Sequence, residues 1–151
     1  MSKKAGTTNL NVDDSYLQSL YGYRLRRASL LFSTSYFEAA GELGIRPVGF
    51  SVLSLIYHNP KITARAICKT LALQAPNLVK LIAEFDSRGL VERKPLPEDA
   101  RAFGLTLTAR GKAILKAVES HVHDHQDTVL QPLSLKEQTQ LHALLGKLLS
   151  T

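Results

Sequence analysis

The sequence predicts a mainly α-helical fold with one small β-hairpin, and three observations predict it. Apolar residues recur at spacings of three and four over most of the chain, which places them on one side of successive helices. Only between residues 90 and 107 does the period fall to two, the mark of extended backbone. Proline, glycine and capping residues stand at the joints between these stretches, where helices start and stop.

The elements follow in order. Residues 1–14 are polar and are expected to be a flexible N-terminus, with Asp13, Asp14 and Ser15 supplying caps for a long first helix. Leu17, Leu20, Tyr21, Leu25, Ala28, Leu31, Phe32 and Tyr36 form one apolar stripe, so this helix is expected to reach about residue 40, where Gly41 and Gly44 help end it. Pro47 suits the first turn of a second helix with Phe50, Leu53, Leu55 and Ile56 on its buried side. Asn59 and Pro60 close that helix, because a residue before proline avoids helical geometry. A short third helix spans about residues 63–70, capped by Thr63. A fourth spans 75–88, tolerates Pro76 in its first turn and packs Leu78, Leu81, Ile82 and Phe85 inward. Gly89, free to adopt a left-handed cap, ends it. Residues 90–93 and 103–107 read as two strands around a charged, turn-rich tip at 95–101. Helical periodicity resumes at Thr108 and runs through Ile114, Leu115, Val118 and Val122 to about Val129. Pro132 interrupts it, and Ser134 with Glu137 makes a capping box for a last helix ending near Leu149.

Composition narrows the function classes. With 151 residues, 44% hydrophobic and 21% charged, the chain can bury a real core as an ordinary globular protein. No apolar run approaches the roughly 18 to 20 residues that cross a bilayer, and none follows Lys3 and Lys4, so neither a membrane span nor a secretory signal is expected. One cysteine, Cys68, excludes an internal disulfide framework and fits a reducing cytoplasm. There is no phosphate-binding glycine loop, no Ser/His/Asp or Cys/His arrangement and no paired acids, so no enzyme is expected, and no cofactor. The net charge of +6 is unevenly placed: residues 60–112 hold ten Lys and Arg against five acids, while the other 98 residues hold nine against eight. An excess gathered in the middle third is the electrostatic footprint of a polyanion partner, although a merely solvated basic surface would carry the same charge.

Two short helices joined by a tight turn and followed by a hairpin form a winged helix-turn-helix. The helix order and the run GLVERKPLPEDARAFGLTLTARG at 89–111 make the resemblance specific: the chain resembles the MarR family of transcriptional regulators over about residues 15–150. The matching features are Gly89, Leu90 and Val91 at the strand start, Asp99 and Arg101 in the wing, and Leu107, Thr108 and Gly111 entering the long helix. The resemblance implies a winged helix-turn-helix DNA-binding core at 46–107. Around it lie N- and C-terminal dimerisation helices at 15–45 and 108–151.

The fourth helix is then the one that enters the major groove. Gln74, Pro76, Asn77 and Lys80 lie on its exposed first turns. Asn and Gln match adenine edges, Lys matches guanine or phosphate, and Pro76 offers apolar contact to a thymine methyl. Thr63, Arg65, Arg93 and Lys94 are better placed for phosphates, which position the protein without reading sequence. In the wing, Asp99 can brace Arg101, which reaches a narrow minor groove. Each of these residues alone also reads as an exposed polar side chain, and Asp99 with Arg101 as a surface ion pair. Many family members carry Ser or Thr where Gln74 and Ala75 stand, and a second base where Ala100 stands, which bears on affinity and operator sequence.

Leu141, Leu144, Leu145, Leu148 and Leu149 are too apolar for an exposed tail, which points to a homodimer, with packing inside one chain as the alternative. A two-fold dimer implies a pseudo-palindromic operator on double-stranded DNA. The resemblance further implies release by a small aromatic or phenolic effector, for which Tyr23, Arg27, Phe50 and Tyr57 are candidate lining residues; they read equally well as core and surface. The alternative is a metal- or redox-responsive regulator of the same fold. His121 and His125 share a helix face at metal-ligand spacing, but no matching cysteine or glutamate set accompanies them. Cys68 sits where burial is expected rather than an exposed reactive thiolate.

Overall fold

The computed structural model describes residues 12–96 and 99–150, excepting the side chains of residues 35, 37–41 and 99–102. Two N-terminal helices, α1 (Ser15–Ser19) and α2 (Tyr21–Ala40), lead through a 3₁₀ turn (Gly41–Leu43) into α3 (Pro47–His58), α4 (Ala64–Leu71) and α5 (Ala75–Ser87). An antiparallel pair, β1 (Val91–Leu96) and β2 (Asp99–Leu107), follows, then α6 (Ala109–Leu130) and α7 (Leu135–Leu149). Residues 1–11, most of the expected flexible N-terminus, lie outside the described residues.

The caps predicted at Thr63 and Ser134 are formed, whereas Asp14 at the N-cap of α1 makes no side-chain cap bond. Thr63 accepts a hydrogen bond from the Ala66 N–H at 3.2 Å and opens α4. Ser134 and Glu137 make the reciprocal capping box of α7, and those bonds hold the Glu137 carboxyl below its ordinary range. Thr108 opens α6 by accepting from the Gly111 N–H, while its own hydroxyl donates to the Gly89 carbonyl at 2.7 Å. Gly111 lies so close to the Leu90 carbonyl that any Cβ would collide with it. The long helix is thereby fixed to the end of the hairpin.

Val52, Leu53, Ile56, Ile67, Leu78, Ile82, Phe85, Leu90, Val91, Leu105, Leu107, Leu115 and Val118 form the core, under α3, α4, α5, the hairpin base and the first half of α6. The hairpin is docked by backbone as well as side chains. The Lys61 N–H donates to the Leu105 carbonyl, and the Leu105 N–H donates to the Ile62 carbonyl, both at 2.9 Å. Ile62 thus adds a one-residue third strand. Gly104 makes that approach possible, since a Cβ there would meet the Lys61 backbone.

Three features differ from expectation. The first helix is two, because Leu20 adopts extended backbone (φ −89°, ψ 123°). Side chains occupy carbonyls around the break: the Ser19 hydroxyl donates to the Tyr16 carbonyl and Arg24 Nε to that of Gln18. Both strands run further than expected, β1 to Leu96 and β2 from Asp99, and Pro95 lies within β1 opposite Phe103. A two-stranded ribbon leaves one edge unpaired, where proline costs no ladder bond. Finally, the apolar stripe of the first helices is mostly uncovered: Leu17, Leu20, Tyr21, Leu25 and Leu31 are exposed, while Tyr36 is buried. Helix α2 packs on α6, whereas α7 makes few contacts with the rest of the described chain.

Candidate nucleic-acid interface

Helices α4 and α5 meet through a three-residue connection, 72–74, whose first residue, Ala72, is left-handed (φ 50°, ψ 38°). That turn lets the Leu73 N–H reach back to the Cys68 carbonyl at 3.0 Å and sends α5 across α4. Leu78, Ile82 and Phe85 anchor α5 in the core. Its opposite side faces solvent: Gln74, Pro76, Asn77, Val79 and Lys80 are all exposed. Gln74 occupies the N-cap position but makes no side-chain cap bond, so its amide is not engaged there.

The far end of α5 is fixed by Arg88. Its guanidinium donates to the Leu43 and Gly44 carbonyls, each at 2.9 Å, and pairs with Glu84 at 3.2 Å. Arg88, counted in the positive excess at the sequence level, is therefore a structural tie between α5 and the 3₁₀ turn. Beside it, Arg46, Asn77, Lys80 and Glu84 rim an open hollow between the start of α3 and α5.

The other predicted contacts flank this helix. The Thr63 hydroxyl accepts its capping bond and so keeps its own proton for donation. Arg65 is exposed in the first turn of α4. Arg93 lines a shallow hollow with Ala64 of α4, Val79 of α5 and Phe103 of β2, so α4, α5 and the hairpin converge on it. Lys94 pairs with Glu92 at 2.9 Å, a half-exposed pair of small energetic worth that a phosphate can displace. Asp99 and Arg101 fall on β2, but the expected brace between them lies outside the described side chains. Sequence reasoning missed Arg46, Val79 and Phe103. Val79 and Phe103 are large apolar residues left 60% and 53% exposed at this surface. The signal was available for Val79, which breaks the inward spacing of α5.

The candidate effector residues do not converge. Tyr23 is half-buried and Arg27 exposed on α2, away from any described hollow they line. Phe50 packs its ring on Tyr36 at 6.3 Å. Tyr57, edge-on to His58, lines a hollow with Lys112, Lys116 and Glu119. A separate hollow between α2, the start of α3 and α6 is lined by Phe32, Tyr36, Pro47, Val122, His125 and Gln126. Burial pushes the Tyr36 phenol up to about 12. His125 thus sits in a mainly apolar wall, while His121 is exposed. Among the described residues no three His, Cys, Asp or Glu side chains gather as a metal site, and Cys68 is half-buried against the core.

With this geometry in place, comparison with known proteins identifies the lineage. A family model described as MarR family matches residues 43–102. The DNA-bound structure of the transcriptional repressor CouR, on a 23-mer duplex, is 30% identical with a TM-score of 0.85, covering 91% of this chain and 97% of that one. The chain belongs to the MarR family. CouR bound to p-coumaroyl-CoA superposes with a TM-score of 0.82 at 28% identity, over 91% of this chain and 96% of that one. The regulator PecS of Dickeya dadantii is 28% identical over 127 residues, 82% of this chain and 76% of its own. This MarR-family chain is a transcriptional regulator with a winged helix-turn-helix and is not an enzyme. Among its described residues no helix is long and apolar enough to cross a membrane.

Proposed function

We propose that this MarR-family chain is a cytoplasmic homodimeric repressor that reads a pseudo-palindromic operator with α5 and leaves it when a small aromatic effector binds. The observation that carries the reading is the exposed start of α5, where Gln74, Pro76, Asn77 and Lys80 face outward from a helix anchored by Leu78, Ile82 and Phe85. Thr63, Arg65, Arg93 and Lys94 contact phosphates on either side of it, and Arg101 with Asp99 extends the contact to the minor groove. Residues 46–107 are the DNA-binding unit. Residues 15–45 and 108–151 carry the dimer, which the uncovered faces of α1, α2 and α7 support: Tyr21, Leu31, Leu148 and Leu149 are among the most exposed apolar side chains. CouR, solved with a DNA duplex and with an aromatic thioester, supports both halves of the cycle. Release requires that the effector bind more tightly to the dimer shape that does not fit DNA.

Fluorescence anisotropy with duplexes from the DNA upstream of the coding sequence tests this directly. The association constant should fall steeply with log salt, as phosphate contacts require. Lys80→Ala and Asn77→Ala should each weaken binding by roughly 1–3 kcal/mol. A salt slope near zero, or full affinity in both variants, contradicts the reading.

A further inference from the structure

The buried face of the hairpin continues outward past the core. Val91, Arg93 and Pro95 of β1 stand opposite Leu107, Leu105 and Phe103 of β2, so these six side chains share one face of the ribbon. At its base Val91, Leu105 and Leu107 are buried, whereas Phe103, further out, is more than half exposed. On α5, Val79 is exposed beside it. Phe103 and Val79, with Ala64, Ile82, Arg93 and Leu105, line a shallow cleft of about 140 Å³ between the reading helix and the hairpin. Among the described residues no carboxylate pairs with Arg93. Apolar walls and one guanidinium are therefore what the cleft offers a partner.

The position of the cleft selects that partner. In a duplex the major groove, about 12 Å wide, and the adjacent minor groove, about 6 Å wide, are divided by a single sugar–phosphate strand. With α5 in the first and the wing in the second, the cleft between them lies over that strand. The chemistry agrees, because the strand alternates an anionic phosphate with a deoxyribose whose edges are largely apolar. Arg93 and Phe103 are diagonal neighbours across the ribbon, about 7–8 Å apart. Successive nucleotides rise about 3.4 Å along a strand, so a phosphate held at one residue and a sugar held at the other belong to neighbouring nucleotides.

We propose that this cleft seats the DNA strand that separates the two grooves, with Arg93 on a phosphate and the Phe103 ring, beside Val79, packed on the adjoining deoxyribose. This rests on the reading of α5 as the major-groove helix and adds to it an apolar contact that supplies affinity independent of salt.

Operator binding by the full chain, measured against log salt for the native protein and for Phe103→Ala, Phe103→Leu and Arg93→Ala, tests it. Ring packing releases no counterion, so Phe103→Ala should weaken binding roughly tenfold at every salt concentration with an unchanged slope. Phe103→Leu should restore most of that loss. Arg93→Ala should flatten the slope by about 0.9 for each half-site. Hydroxyl-radical footprinting at saturating protein then reads the sugar itself. Phe103→Ala should lose protection at one position on one strand of each half-site and keep the remainder. Because the ring is half exposed, its thermal transition should stay close to that of the native protein. Unchanged affinity in Phe103→Ala overturns the proposal and assigns the cleft to another occupant, such as a second copy of the chain or a small aromatic anion. Weakened binding with every sugar still protected also overturns it, as does loss of the cooperative thermal transition, since either makes the ring a structural part of the hairpin. A native chain that binds no operator removes the reading of α5 itself.

Discussion

At the scale of single residues, the helix-turn-helix depends on one backbone conformation that its side chain does not favour. Ala72 closes α4 in the left-handed region, which disfavours any residue with a Cβ by roughly 1–2 kcal/mol. The residue is exposed, so its methyl group contributes little packing. Glycine removes the steric cost but brings an unfolded-state entropy of roughly 0.5–1 kcal/mol. The balance predicts that Ala72→Gly stabilises the protein by roughly 0.5–1 kcal/mol, a rise of about 1–4 °C in Tm at fixed protein concentration. Thermal unfolding followed by circular dichroism checks it, and a lower Tm would show that the turn is not held as described. Arg88 makes a complementary point. Its charge reads as part of a DNA footprint in the sequence, yet three hydrogen bonds commit it to the Leu43 and Gly44 carbonyls and Glu84.

At the scale of elements, the joints were legible because their signals are local. Thr63 and Ser134 each cap the helix that the sequence assigns to them, Pro47 opens α3, and helical structure resumes after Thr108. The break at Leu20 was not legible, because it depends on Ser19 and Arg24 taking backbone carbonyls in an otherwise unbroken helical pattern. The hairpin is legible in the sequence but its length is not, since Pro95 reads as a turn residue and the unpaired edge of a two-stranded ribbon lets it stay in a strand. The recess at Phe32, Tyr36, Val122 and His125 joins residues about ninety positions apart, beyond any local pattern. Tyr23 and Arg27, chosen for their chemistry, lie elsewhere on α2. Gly104 carries the element-scale prediction. An added methyl there meets the Lys61 backbone, which cannot swing aside as a side chain would. Gly104→Ala should destabilise by roughly 1–3 kcal/mol and should deprotect the Leu105 amide in hydrogen exchange. Native protection at Leu105 in the variant would show that Ile62 does not dock the hairpin.

At the scale of the whole molecule, the chain divides into a packed part and an uncovered part. The winged domain has a continuous core under α3, α4, α5 and the hairpin. By contrast, Leu17, Leu25, Leu31, Leu144, Leu148 and Leu149 are all at least 44% exposed, and α7 leans on little of its own chain. A second copy covering these faces would set two α5 helices at a fixed spacing. Hydroxyl-radical footprinting of the native protein on its selected operator measures this arrangement most directly. Two protected patches related by a two-fold axis and centred about one helical turn, 10–10.5 base pairs, apart are the predicted result. A single protected patch, or uniform protection along the duplex, would contradict it.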